Sequence, residues 1–251
     1  MFKKLGRKSI LLLGFLIIAA VIFISVSASG DSATVTGVSS ATANGTYTTG
    51  QIIAITVTFS EPVNLTGYPE IQLETGTTDQ QAIYSSGNGT DTLIFNYTVQ
   101  AGDASNELDY VATGSLTTNG GTIKNSSGID AILILPAPGT SGSLGANTDF
   151  VIDAVAPTVE LISGTTNPTN GLISVTATFN ESVTGFDSAD ILVTNGSVEN
   201  FGGSGTTYTF DVNPTDGTGI TVTIGVPAGS AQDAATNNNT ASNTLSYTSD
   251  T

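Results

Sequence analysis

Thr92-Leu93-Ile94-Phe95-Asn96-Tyr97-Thr98-Val99 decides the fold. In an extended chain successive side chains point to opposite faces. Leu93, Phe95, Tyr97 and Val99 therefore share one face and the polar residues the other. Ile52-Ile53-Ala54-Ile55-Thr56-Val57-Thr58-Phe59 repeats the pattern after an apolar start, as do Ile173, Val175, Ala177 and Phe179, and Ile220, Val222, Ile224 and Val226. A period of two predicts half-buried antiparallel strands. Asn44-Gly45, Asn88-Gly89, Asn119-Gly120, Asn195-Gly196 and Asp216-Gly217 supply turn chemistry between them. Only 10% of residues are charged, and Gly, Ser, Thr and Asn are abundant. That mix suits short strands joined by turns, and beyond the leader no segment carries a helical stripe.

The chain contains no Cys, His or Trp. It therefore has no cysteine nucleophile, imidazole base, zinc site of the usual ligands or disulfide. The expectation is a protein that is not an enzyme. Four of the five bases, Lys3, Lys4, Arg7 and Lys8, lie at the start, and Lys124 alone accompanies the 21 acids beyond them. So acidic a body repels phosphate backbones, which argues against nucleic acid as a partner, and it attracts divalent cations.

Met1 to Gly30 reads as an export leader. A basic start precedes an uncharged apolar run from Ile10 to Val26, then Val26-Ser27-Ala28, a small-residue cleavage pattern. The run approaches the roughly 20 residues that span a bilayer. Cleavage after Ala28 and retention as an N-terminal membrane anchor both fit. Either places Asp31 onward outside the membrane, secreted or at the cell surface, with this segment as the sole membrane contact.

A weak internal repeat organises the remainder. Phe59-Ser60-Glu61-Pro62-Val63 and Phe179-Asn180-Glu181-Ser182-Val183 hold Phe, Glu and Val in register, each read as a strand end. Phe150-Val151-Ile152-Asp153 parallels Leu245-Ser246-Tyr247-Thr248-Ser249-Asp250, and Ala154-Val155-Ala156-Pro157-Thr158 forms a Pro-bearing joint. A stereotyped joint within a repeat is the mark of a tandem array. The expected organisation is a leader over 1–30, a longer module over 31–153 and a second over 154–251. The expected fold is all-β, two tandem antiparallel immunoglobulin-like sandwiches.

The second module resembles the Ig-like repeats of large bacterial and archaeal surface adhesins. Asp153 with Ala156-Pro157-Thr158, Phe179-Asn180-Glu181-Ser182-Val183-Thr184-Gly185-Phe186, Asp190-Ile191-Leu192-Val193-Thr194-Asn195-Gly196, Pro227-Ala228-Gly229 and Asp233-Ala234-Ala235 carry the resemblance. The first module is similar to a longer relative through Gly45-Thr46-Tyr47, Phe59-Ser60-Glu61-Pro62-Val63 and Tyr84-Ser85-Ser86-Gly87-Asn88-Gly89-Thr90. The resemblance implies extracellular spacing, adhesion or binding, and no reaction. The surface ligand it leaves open is a polysaccharide or a protein. The competing reading is a carbohydrate-binding accessory region of a larger secreted enzyme.

Topology then suggests a site. In such a sandwich the loop after the second strand and the loop before the last return to the pole where the chain enters. In the second module this gathers Asp153, Glu181 and Asp233. The same logic places Asp31 with Glu61 in the first, and Asp130 more loosely. Carboxylate oxygens without nitrogen or sulfur suit calcium. The alternative is that Glu181 accepts backbone N–H groups in a turn and Asp153 caps the joint. Asp187 and Asp190 read as turn and cap residues. Tyr47, Tyr68, Tyr84 and Tyr110 read as packing residues before sugar contacts. Asn-x-Ser/Thr sequons begin at Asn44, Asn64, Asn88, Asn96, Asn125, Asn180, Asn195 and Asn238 and matter only in a host that glycosylates surface proteins.

Overall fold

The computed structural model describes residues 30–250, so the leader reading of 1–29 lies outside the described residues. The first part comprises β1 (Val35–Ser40), β2 (Gly45–Tyr47), β3 (Ile52–Thr66), β4 (Glu70–Leu73), β5 (Gln80–Ser86), β6 (Thr90–Thr98), β7 (Ala104–Ser105), β8 (Leu116–Thr117), β9 (Thr122–Asn125), the four-residue helix α1 (Leu144–Asn147) and β10 (Phe150–Asp153). The second comprises β11 (Val159–Ser163), β12 (Ile173–Val183), β13 (Leu192–Thr194), β14 (Gly196–Pro214), β15 (Thr218–Gly225) and β16 (Leu245–Asp250), with a 3₁₀ turn over Ser188–Asp190.

The architecture is all-β, of immunoglobulin-like sandwiches. One sheet runs β1-β3-β6-β5-β4-β8, with β9 also pairing β3, and it faces the sheet β2-β10-β7. The other two sheets are β11-β12-β14 and β13-β15-β16. The alternating faces explain the packing. Pairing sets Ile53, Ile55 and Val57 opposite Tyr97, Phe95 and Leu93, all fully buried. Ile173, Val175 and Ala177 lie opposite Val212, Phe210 and Tyr208, also buried. Two separate apolar clusters result, one from Ala33 to Ala154 and one from Val159 to Tyr247. Phe179 anchors the second, with its ring edge-on to Phe186 at 5.3 Å and to Tyr208 at 5.9 Å.

Three features depart from the sequence reading. Among the named strands the pairing is antiparallel except that β10 runs parallel to β2, and isolated parallel bridges join Thr34 to Ile132 and Thr169 to Ser249. Of the five turn dipeptides, Asn88-Gly89 closes a hairpin between adjacent strands, β5 and β6. Asn44-Gly45 instead carries the chain from β1 across to the other sheet, where Gly45 N donates to Asp149 O at 3.1 Å. Finally, β12 ends at Val183 as expected but β3 runs on past Val63 to Thr66, and both Glu61 and Glu181 lie within their strands, not in the loops after them. Both strands shift register at the same place, between Thr58 and Val63 and between Thr178 and Val183. Pro62, with no N–H for a ladder, sits inside the first of these bulges, where proline is tolerated.

Candidate functional site

The two bulges build matching poles. At the first, Ser60 N donates to Thr34 O at 2.8 Å while Thr34 N donates to Ser60 Oγ at 3.0 Å. At the second, Asn180 N donates to Thr158 O at 3.1 Å while Thr158 N donates to Asn180 Oδ1 at 2.7 Å. Each reciprocal pair pins the incoming chain beside a bulged glutamate. A loop then closes each pole in the same conformation. Asn125 Oδ1 accepts from Ile129 N at 3.0 Å, and Asp233 Oδ1 accepts from Asn237 N at 2.8 Å. Four residues into the loop backbone the left-handed turn falls on Gly128 (φ 79°) in one case and Thr236 (φ 70°) in the other. For β-branched Thr236 that conformation costs about 1–2 kcal/mol.

The difference between the poles is one of charge. In the first, Asn125 Nδ2 donates to Asp31 O at 3.0 Å and to Glu61 Oε1 at 3.1 Å, so an amide joins the two residues expected to converge there. Asp130 is held apart as the ion-pair partner of Lys124. In the second, a carboxylate, Asp233, occupies the place of Asn125 and cannot donate. Asn237 supplies the missing donor: its Nδ2 reaches Asp153 O at 2.8 Å and Asp233 Oδ2 at 2.9 Å. Asp233 is 4% exposed. Glu181 stands beside this pair. Burial raises its carboxyl pKa above the usual value, and the charges of Asp233 and then Asp153 raise it further, against a lowering hydrogen bond with Asn180. The three expected carboxylates therefore do share one electrostatic neighbourhood. Among the described residues, however, no group of three or more acidic side chains is assembled as a metal site.

Asn125 and Asn237 are the residues that sequence reasoning missed. Their signal was the alignment of the two closing loops, Asn125-Ser126-Ser127-Gly128-Ile129 and Asp233-Ala234-Ala235-Thr236-Asn237, which match in spacing but share no residue at any matched position. The remaining candidates sort simply. Asp187 accepts from Ala189 N at 2.7 Å and Asp190 accepts from Asp187 N at 2.8 Å, a capping box around the 3₁₀ turn. Tyr110 is buried, Tyr47 packs edge-on against Phe150 and Tyr84 against Phe95, and Tyr68 is 69% exposed. The four tyrosines thus form no common stacking face. Of the sequon asparagines, Asn125 is buried.

Residues 153–249 match the family model of a bacterial Ig-like domain. Such domains are in general non-catalytic modules of extracellular or surface proteins. No curated protein matches the chain.

Proposed function

We propose that the chain is an exported, non-catalytic structural or adhesive module of the cell surface, with 31–153 and 154–251 as two sandwiches in a spacer. The observation that supports this reading is the joint. Ala154 N donates to Asp103 O at 2.9 Å and Ala154 O accepts from Gly102 N at 2.8 Å, while Thr240 N donates to Pro157 O at 2.8 Å. The Pro-bearing segment is thus fastened to both cores, as a spacer that transmits force requires, in contrast to a loose linker. The chain has no Cys, so Ser204→Cys, on an exposed position, adds a unique thiol. A membrane-impermeant maleimide should label it on intact cells. Labelling only after lysis would contradict export.

Calcium at the second pole is a further element of this proposal, favoured by the raised carboxyl of Glu181. The oxygens of Asp153, Glu181 and Asp233 suit calcium in kind. A cation would have to displace the Asn237 amide donor, which now bridges Asp153 and Asp233. The first pole, with Asp31, Glu61 and a neutral Asn125, offers one carboxylate fewer and would bind more weakly. The sign of the pH effect follows from linkage. A carboxyl whose folded pKa is raised binds more protons folded than unfolded, so stability falls as pH rises through that value. In chelator, Glu181→Gln should stabilise the fold at neutral pH by less than about 1 kcal/mol for so solvent-screened a group, read as a higher melting temperature. The gain should vanish in acid below the ordinary glutamate range. In millimolar calcium the wild type should gain stability and Glu181→Gln should not. A wild type that melts identically in chelator and calcium would leave these carboxylates purely structural.

A further inference from the structure

The outer face of the β11-β12-β14 sheet carries a cleft of about 430 Å³, within the roughly 300–1,000 Å³ of small-molecule sites. Its side chains come from three neighbouring strands in register. Ser174 lies opposite Asp211, and Thr176 lies between Ile162 and Thr209. Thr176 is half-buried and forms the floor, while Ile162, 54% exposed, forms an apolar wall. The opposite wall is Asn200. Asn213 Nδ2 donates to Glu199 Oε1 at 3.1 Å and Asn200 Nδ2 donates to Asp211 Oδ2 at 2.8 Å, so 196–201 folds back alongside 208–214. Asn200 holds φ 51°, a left-handed backbone that asparagine tolerates better than most residues. That backbone aims the amide into the cleft.

The Asp211 carboxylate is fixed from both sides. Ser174 Oγ donates to Oδ1 at 2.7 Å, and Asn200 donates to Oδ2. These bonds hold its pKa below the ordinary aspartate range, so it is ionised at neutral pH. Each carboxylate oxygen can accept a second hydrogen bond. The hydroxyls of Thr176 and Thr209 have no protein partner among the described residues. The cleft therefore offers an oriented anionic acceptor, free hydroxyls that donate or accept, and one apolar wall.

We propose that this cleft binds a neutral glycan, sugar hydroxyls donating to Asp211 and exchanging hydrogen bonds with Thr176 and Thr209 while a sugar C–H face rests on Ile162. Anionic polymers are disfavoured by Asp211 itself and by a body that carries Lys124 as its one base against 21 acids. Phe210 points into the core, so the cleft holds no stacking ring and the affinity is weak, which suits a site used many times on one surface. The inference rests on the extracellular reading only for the source of the glycan; binding itself is a property of the purified chain.

The test is native-gel retardation of the full chain, purified in mild detergent, through gels containing dextran, mannan or galactan, with alginate as the anionic comparison. At least one neutral polymer should slow the wild type. Asp211→Ala and Thr176→Ile should each weaken retardation about tenfold or more, the loss expected from one charge-assisted or oriented hydrogen bond with its partner. Both side chains point outward, so the melting temperature reports whether each variant is folded, and Thr176→Ile keeps a β-branched residue on the strand. Three results would overturn the proposal: no retardation by any neutral polymer, equal retardation of folded wild type and variants, or retardation by alginate alone. Because no cell is involved, such a failure would be independent of the thiol-labelling result on export.

Discussion

Phe179→Ala is expected to destabilise the second sandwich by about 3–5 kcal/mol and to leave the first intact. Phe179 is 2% exposed and lies against the rings of Phe186 and Tyr208, so truncation removes both its buried area and two edge-on contacts. The rigid strands on either side cannot collapse into the space, which places the cost toward the upper part of the range. Hydrogen exchange read by mass spectrometry resolves the two parts. Amides over 159–250 should lose protection at lower denaturant, while those over 35–150 keep theirs. The motivation is that the two apolar clusters share no residue. If protection falls equally in both, the chain unfolds as one cooperative body and the division into 31–153 and 154–251 has no energetic meaning.

Asp103→Ala should do the converse, lowering the first sandwich by about 3–5 kcal/mol. Asp103 is 3% exposed and sits just before β7. Its Oδ2 accepts from the Tyr97 hydroxyl at 2.7 Å and from Gln100 N at 2.7 Å, and its Oδ1 accepts from Gln80 Nε2 at 3.0 Å. Removing the carboxylate leaves three donors without a partner, one of them the hydroxyl of a fully buried tyrosine. Burial, followed by the hydrogen bond and charge of Asp103, pushes that hydroxyl's pKa far above the ordinary tyrosine value, so it remains a donor at any working pH. Adding Tyr97→Phe to Asp103→Ala should recover part of the loss, since deleting both partners removes one of the stranded groups. A double variant no more stable than the single would show that the Tyr97 hydroxyl is not what Asp103 satisfies.

These two sites show the limits of reading this chain. Phe179 was legible: it belongs to an alternating strand and to a motif repeated at Phe59, and its burial follows from period alone. Asp103 was not, because a lone aspartate after Gly102 looks like any other turn acid until β6 and β7 enclose it. The same division runs through the turns. Asn44-Gly45 and Asn88-Gly89 promise the same sharp reversal, and only Asn88-Gly89 closes a hairpin. The dipeptide sets local backbone angles; which edge is free to receive the emerging strand depends on the rest of the sheet.

Sequence by itself therefore determined the all-β class and the faces that form the cores, since both follow from local alternation. Tertiary structure alone decided that Glu61 and Glu181 ride on bulges within their strands. It also decided that Asn125 and Asn237 complete the poles, and that Asn200, Ser174 and Asp211 meet across a cleft. Those outcomes are hydrogen bonds between residues far apart in the chain or on a ribbon folded back on itself, and such partners have no period in the sequence. They become neighbours only once burial of the apolar faces has set the register of every strand.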